Sequence, residues 1–200
     1  MKIIEYNLSV DRICLGERVK GGTYRPCSKV IPYTRVVGAF ESNLGLSLHG
    51  IGIIKSIDNV NHLTIAPNDR GKDTVKLPIK VMYLEGVKGN VYILNHENIS
   101  EKLENRITLL MGGLRMRGFG KCFLDNKKEY ELGMEDCGEG ILNTRIPVSE
   151  AKTFDINVLK AKLGYLFVRE DDETGQYVLS YFEGSRIQGP KFLFKGGMDE

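Results

Sequence analysis

The sequence has no paired cysteines, no long apolar run and almost no net charge, and each absence narrows what it can be. Its four cysteines, Cys14, Cys27, Cys122 and Cys137, form no C-x-x-C pair and are scattered through 200 residues, so neither a local zinc motif nor a secreted disulfide framework is indicated. They read as reduced, intracellular thiols. No window approaches the ~18–20 consecutive apolar residues of a membrane span. The start, Met1-Lys2-Ile3-Ile4-Glu5-Tyr6, enters a strand pattern without the charged-then-apolar anatomy of a signal peptide. A soluble, cytoplasmic chain with no membrane partner is expected. The net charge of +2, with 27% charged and 42% hydrophobic residues, describes an ordinary globular composition and does not by itself announce a nucleic-acid ligand.

Catalytic signatures are equally scarce. The sequence lacks HExxH and any apparent Ser/His/Asp or two-carboxylate signature. The acidic run Glu170-Asp171-Asp172-Glu173 lacks the alternating ligand spacing of a calcium loop and reads as a solvated hairpin tip. No metal or cofactor is expected. The three histidines, His49, His62 and His96, fall in strand-like or turn-like stretches, where a lone histidine is more often structural than catalytic.

What is present is a segregation of charge and glycine. Residues 12–35 carry Arg12, Arg18, Lys20, Arg25, Lys29 and Arg35 against the single acid Glu17. Residues 111–121, Met-Gly-Gly-Leu-Arg-Met-Arg-Gly-Phe-Gly-Lys, hold four glycines and three cations. Glycine reaches positive φ and admits close backbone approach, so successive N–H groups can turn toward one anion. Arg115 and Arg117 add forked, permanently charged donors suited to phosphate, and a polyanion is the natural ligand. The stretch is neither a Walker A loop, which needs Gly-Lys-Ser/Thr opening a helix, nor a dinucleotide fingerprint, which follows a strand. The plainer reading makes Gly112 and Gly113 helix C-caps and the arginines a solvated turn.

Along the chain, residues 2–10 alternate as a strand with Ile4, Tyr6, Leu8 and Val10 on one face. A basic connection, residues 11–31, is longer than the usual ~4–6 residues, as functional loops often are. Pro32 suits a first helical turn and Gly45 a stop, giving a short helix between them. Residues 48–57, 60–66, 79–84 and 91–94 read as strands. Ser100 as N-cap, with Leu103, Ile107, Leu110 and Met111 on one face, predicts a helix running into the glycine loop. Its negative dipole end leaves attraction to the cations and turned N–H groups. Phe119–Leu124 returns as a strand. The fold class expected is α+β: a ferredoxin-like (RRM-like) β-α-β-β-α-β core with elaborations over residues 1–125, carrying the glycine-rich loop 112–120. Beyond it lies a β-rich C-terminal extension, residues 126–200.

Gly112-Gly113-Leu114-Arg115-Met116-Arg117-Gly118-Phe119-Gly120-Lys121 resembles the glycine-rich loop of the CRISPR-associated RAMP superfamily, usually close to Gly-Gly-x-Arg-Ser-Arg-Gly-Phe-Gly-Arg/Lys before a strand. Met116 replaces the usual small polar residue. Residues 31–40, from Ile31-Pro32 to Gly38-Ala39-Phe40, resemble the run that opens the first helix in that superfamily and lies along the guide RNA. Tyr33 and Thr34 replace the usual Gly-Ser. Residues 179–193 look like segments near the end of the subunits that cap the guide's 5′ handle.

The resemblance implies a guide-RNA-binding subunit of a type III effector complex, with other CRISPR-associated effector subunits as partners. It implies RNA-binding roles for Gly112, Gly113, Arg115, Arg117, Gly118, Phe119, Gly120 and Lys121, extended by Arg25, Lys29 and Arg35; Phe119 either stacks a base or packs in the core. The alternatives are a RAMP endoribonuclease and a structural ferredoxin-like protein with no nucleic-acid role. For the enzyme the candidates are His49, Tyr24 and Asp11. Each is weak, because the superfamily's processing enzymes keep their histidine in the basic loop or first helix, and its target-cutting subunits keep an aspartate in the loop after the first strand. Gly16 through Pro32 contains no aspartate.

Overall fold

Ile4, Tyr6, Leu8 and Val10 point into the core from one face of β1 (Lys2–Ile13), as their alternation requires. A computed structural model of the chain describes residues 1–17, 22–66, 68–69, 74–75, 77–96, 99–169 and 174–195. Arg18 and Lys20 of the basic connection, most of the loop 67–73 and the acids 170–173 lie outside the described residues.

After β1 the chain forms β2 (Tyr24–Arg25), α1 (Tyr33–Leu44), β3 (Gly50–Ser56), β4 (Asn59–Ile65), β5 (Asn68–Asp69), β6 (Thr74–Val75) and β7 (Ile79–Leu94). It continues through β8 (Ile107–Leu110), β9 (Lys121–Glu131), β10 (Cys137–Ile141), β11 (Ile146–Pro147) and α2 (Val148–Ala151). The last strands are β12 (Asn157–Lys160), β13 (Leu163–Arg169), β14 (Gly175–Tyr181) and β15 (Arg186–Pro190). The class is α+β, mostly strands with two short helices. No helix among the described residues is long and apolar enough to cross a membrane.

β1 lies at the centre of the main sheet, antiparallel to β7 on one side and to β9 on the other. β8 forms the edge beyond β9, β3 and β4 pair with successive parts of β7, and β2 pairs parallel with β7. α1 forms where Pro32 and Gly45 bracket it; Gly45, at φ 66°, closes the end by donating its N–H to Glu41 O. Val36, Ala39 and Phe40 of α1 pack with Tyr6, Leu8 and Val10 in one core. A second core lies against Ile3, Ile51, Tyr92 and Leu94 and is completed by Leu142, Ile146, Phe154, Ile187 and Leu193. The C-terminal strands thereby cover one end of the sheet.

Two sequence expectations fail here. The helix expected from Ser100 to Met111 is a single 3-10 turn, Ile99–Lys102, followed by the strand β8. Leu110 is exposed while Ile107, Leu109 and Met111 are buried, a period of two that wins because β9 offers a pairing edge. The glycine loop therefore follows a strand, and no helix dipole bears on it. Asn43 of α1 covers β8's outer edge: its side-chain oxygen accepts from Leu110 N at 3.1 Å, and its amide donates to Leu110 O at 3.3 Å. The strands expected at 79–84 and 91–94 are one strand, β7. Gly86 bends it at φ 61° without ending it, because β1 pairs along both sides of the bend.

Arg145 ties the C-terminal part to the root of the basic connection. Its guanidinium donates through Nε and Nη2 to the two Glu183 oxygens, each at 2.6 Å, and Nη2 lies 2.8 Å from Glu17 Oε1. Burial works to raise the Glu183 carboxyl, but the Arg145 hydrogen bonds and charge outweigh it and hold the group below the usual carboxylate range. A lowered folded-state pKa means stability that is present above the unfolded value of about 4.3 and is lost as pH falls through the folded value. Glu183→Gln therefore flattens the fall in Tm between about pH 5 and pH 3; an unchanged acid limb would contradict this. The pair is about one-third exposed on the carboxylate side, so Arg145→Ala costs about 1–3 kcal/mol by chemical denaturation rather than the full value for a buried pair.

Candidate nucleic-acid interface

The glycine loop joins β8 to β9 and is bonded at its root to the end of β1. Gly113 N donates to Cys14 O at 2.8 Å, Gly120 N to Arg12 O at 2.7 Å, and Met111 N to Gly120 O at 2.8 Å. Two glycines are required by contact as well as by conformation. At Gly112, φ 84°, a Cβ would lie 2.6 Å from Cys14 O, and at Gly120, φ 80°, 2.0 Å from Met111 O. Beyond this root Leu114 takes the left-handed conformation, Arg115–Arg117 form a 3-10 turn, and Gly118 closes it at φ 79°.

The tip presents its charges outward. Arg115, Met116 and Arg117 are all exposed. Arg115 Nε donates to Gly112 O at 3.1 Å, which steadies the side chain while leaving its remaining donors outward. Inside the turn Arg117 N donates to Leu114 O and Gly118 N to Arg115 O. The amides of Gly113, Arg117, Gly118 and Gly120 are thus already engaged, so attraction for an anion rests on the side-chain cations more than the glycine content suggests. Phe119 is buried, edge-on to Tyr83 with centroids 4.9 Å apart and beneath the Arg12 guanidinium at 5.6 Å. Lys121 is exposed at the start of β9, its ammonium 5.1 Å from the Phe123 ring centroid. Phe123, not singled out in the sequence, is 39% exposed.

The described part of the basic connection folds back beside the loop root. Ser28 N donates to Leu15 O at 2.9 Å and Glu17 N to Pro26 O at 3.1 Å, which brings Cys27 to Cys14, thirteen residues apart in sequence. The neighbouring Cys27 thiol lowers Cys14 from its ordinary value, against burial and with help from the Gly16 backbone and Arg35. The same contact, with burial, pushes Cys27 up. Arg25 lies in β2, Lys29 is exposed, and Arg35 reaches from the first turn of α1 to Gly16 O at 3.4 Å. Arg35 thus spans to the strand-end segment that follows Cys14, the residue bridged to Gly113.

The three catalytic candidates lie apart. Asp11 is exposed near the end of β1. Tyr24 donates to Met82 Sδ at 3.2 Å and lies 3.5 Å from His62 Nε2. His49 Nδ1 is 2.7 Å from Tyr33 Oη and 3.2 Å from Glu150 Oε2, and Tyr33 Oη is also 3.2 Å from that carboxylate. Burial, then the Glu150 charge, pushes the Tyr33 phenol up and keeps it protonated as a donor. Residues 33, 49 and 150 meet only through the docking of α2, which nothing local in the sequence indicates.

No protein-family model and no curated protein matches the sequence. Among solved structures, the chain is similar to one from the cryo-EM structure of the Type III-B Cmr-beta bound to cognate target RNA and AMPPnP. The TM-score is 0.56 at 12% identity, over 94% of this chain and 86% of that one. At that identity the two share a fold.

Proposed function

We propose that the chain is a non-catalytic RAMP subunit that binds guide RNA in a type III-like CRISPR effector complex, at the 5′ handle or along the backbone. Arg115, Arg117 and Lys121 contact phosphate, and Arg25, Lys29 and Arg35 extend the track. The observation that carries this reading is the loop itself: two exposed arginines raised on a glycine-shaped turn whose root is bonded to the central strand. The strand order β3/β4, β7, β1, β9 supports reading the main sheet as ferredoxin-like, with β8 in place of the second helix. The reading divides the chain into a core, residues 1–125, and a β-rich extension, residues 126–200, packed on it. The likeness to a chain from an RNA-bound type III-B assembly supports effector subunits as partners.

The test is a titration of labelled CRISPR-repeat RNA, scrambled RNA and duplex DNA with the purified chain at two salt concentrations. Salt-sensitive binding that favours single-stranded RNA and leaves it uncleaved is expected; equal affinity for duplex DNA sinks the proposal. The arrangement of His49 with Tyr33 and Glu150 favours a second reading, a metal-independent ribonuclease with His49 as general base. It requires specific cleavage that His49→Ala abolishes while binding persists.

A further inference from the structure

The main sheet has one face that is covered at one end and open at the other. At the closed end Ile3 and Leu94 pair and are buried under the C-terminal segments. At the open end, beside the glycine loop, strand pairing aligns Thr108, Phe123, Ser9, Lys88 and Ser56 in one row across five strands. All five are exposed. Cys122 and Leu124, on either side of Phe123, point into the core, so the Phe123 ring stands on the open face. It is an aromatic ring between two hydroxyl side chains, with an ammonium next in the row.

We infer that this open row is a base-stacking platform for single-stranded RNA, with a nucleobase laid on Phe123. The inference rests on the guide-RNA reading above and adds a contact to it. Four observations converge on that occupant. Its partners along the row are polar, and only Leu110, diagonal to it on β8, adds apolar surface on that side, which suits the face of one base better than the apolar core of a protein interface. Ser9 and Thr108 flank it with groups that both donate and accept, able to meet base edges or ribose hydroxyls without demanding one sequence. Lys121, 5.1 Å from the ring centroid, and Lys88 beyond Ser9 supply charge for the adjoining phosphates, and Arg12 lies at the same end. Asp125, paired with Asn7, lies on the side of the row away from the glycine loop and turns the phosphate path toward the loop tip, where Arg115 and Arg117 project. Duplex nucleic acid keeps its base faces stacked and cannot use the ring, so the platform selects single strands. Phe119, the loop's own aromatic, has its ring buried against Tyr83 and Arg12, whereas Phe123 is exposed on the open face.

The chain has no tryptophan, so Phe123→Trp installs a single reporter at the site. Titrated with a short oligouridylate RNA, its emission falls at least about twofold at saturation, as expected for an indole stacked on a base. Phe123→Ala weakens binding of the same RNA, followed by anisotropy of a labelled end, on the order of tenfold. Its thermal unfolding stays within about a degree of the parent because the ring is exposed. Unquenched emission with unchanged affinity in both variants overturns the platform and leaves the loop reading standing. Absence of binding by the parent chain itself overturns both. Quenching by duplex RNA as strong as by the single strand also contradicts the inference.

Discussion

Replacing Arg115 and Arg117 together by alanine weakens single-stranded RNA binding on the order of ten- to a hundredfold near physiological salt. It also flattens the dependence of affinity on salt. Each phosphate neutralised on a single strand contributes about 0.7 to the logarithmic slope, so losing two contacts lowers it by roughly 1.4. The fold is unaffected: both side chains are exposed, and the side-chain bond from Arg115 Nε to Gly112 O lies within the loop. Stability changes by less than about 0.5 kcal/mol. Arg-to-Lys replacements keep the charge and restore most of the slope but not all of the affinity, because lysine cannot offer the planar fork. A double mutant with unchanged binding and a markedly lower Tm would mean that the arginines hold the turn together and the ligand binds elsewhere.

The second large effect is on stability, and it separates two glycines of the same loop. Gly120→Ala puts a methyl 2.0 Å from Met111 O at a backbone φ of 80°. The strain of a side chain in the left-handed region costs about 1–3 kcal/mol, and relieving the clash breaks the root bonds at Met111 and Arg12, each worth about 1 kcal/mol. A loss of about 3–5 kcal/mol, roughly 10 °C in Tm for a chain of this size, is expected. Gly118→Ala has the same backbone sign, φ 79°, but nothing within 4 Å of its Cβ, so it loses only about 1 kcal/mol. Equal losses at the two sites would show that the root is not the rigid base described.

These contrasts mark where sequence reasoning reaches. α1 was legible because its start and stop are local chemistry, Pro32 before it and Gly45 after it. β1 was legible because four alternating apolar residues need no partner to be recognised. The missing helix was not legible. Ser100, Leu103, Ile107 and Met111 fit a helical stripe, and only the pairing edge of β9 decides that Ile107 and Leu109, rather than Ile107 and Leu110, face the core. The break expected between residues 84 and 91 misled in the opposite direction: Gly86 does take a positive φ, yet β1 pairs on both sides of it and carries the strand across.

The candidate site divides in the same way. The loop's glycines and arginines are contiguous and announce themselves, but their engaged amides do not. Phe123 could have been found from its neighbours, since Cys122 and Leu124 alternate inward and force residue 123 outward. The contact of Tyr33 with Glu150, shared by His49, spans 117 residues from the start of α1 to α2 and depends on tertiary docking alone.

The most direct test of the account maps where RNA touches the chain. Single-stranded repeat RNA carrying photoreactive 4-thiouridine is bound to the full chain and irradiated, and the adducted peptides are identified by mass spectrometry. The account predicts adducts within residues 113–123, lost when Arg115 and Arg117 are both alanine. Adducts confined to residues 137–195, with none on the loop or β9, would contradict it.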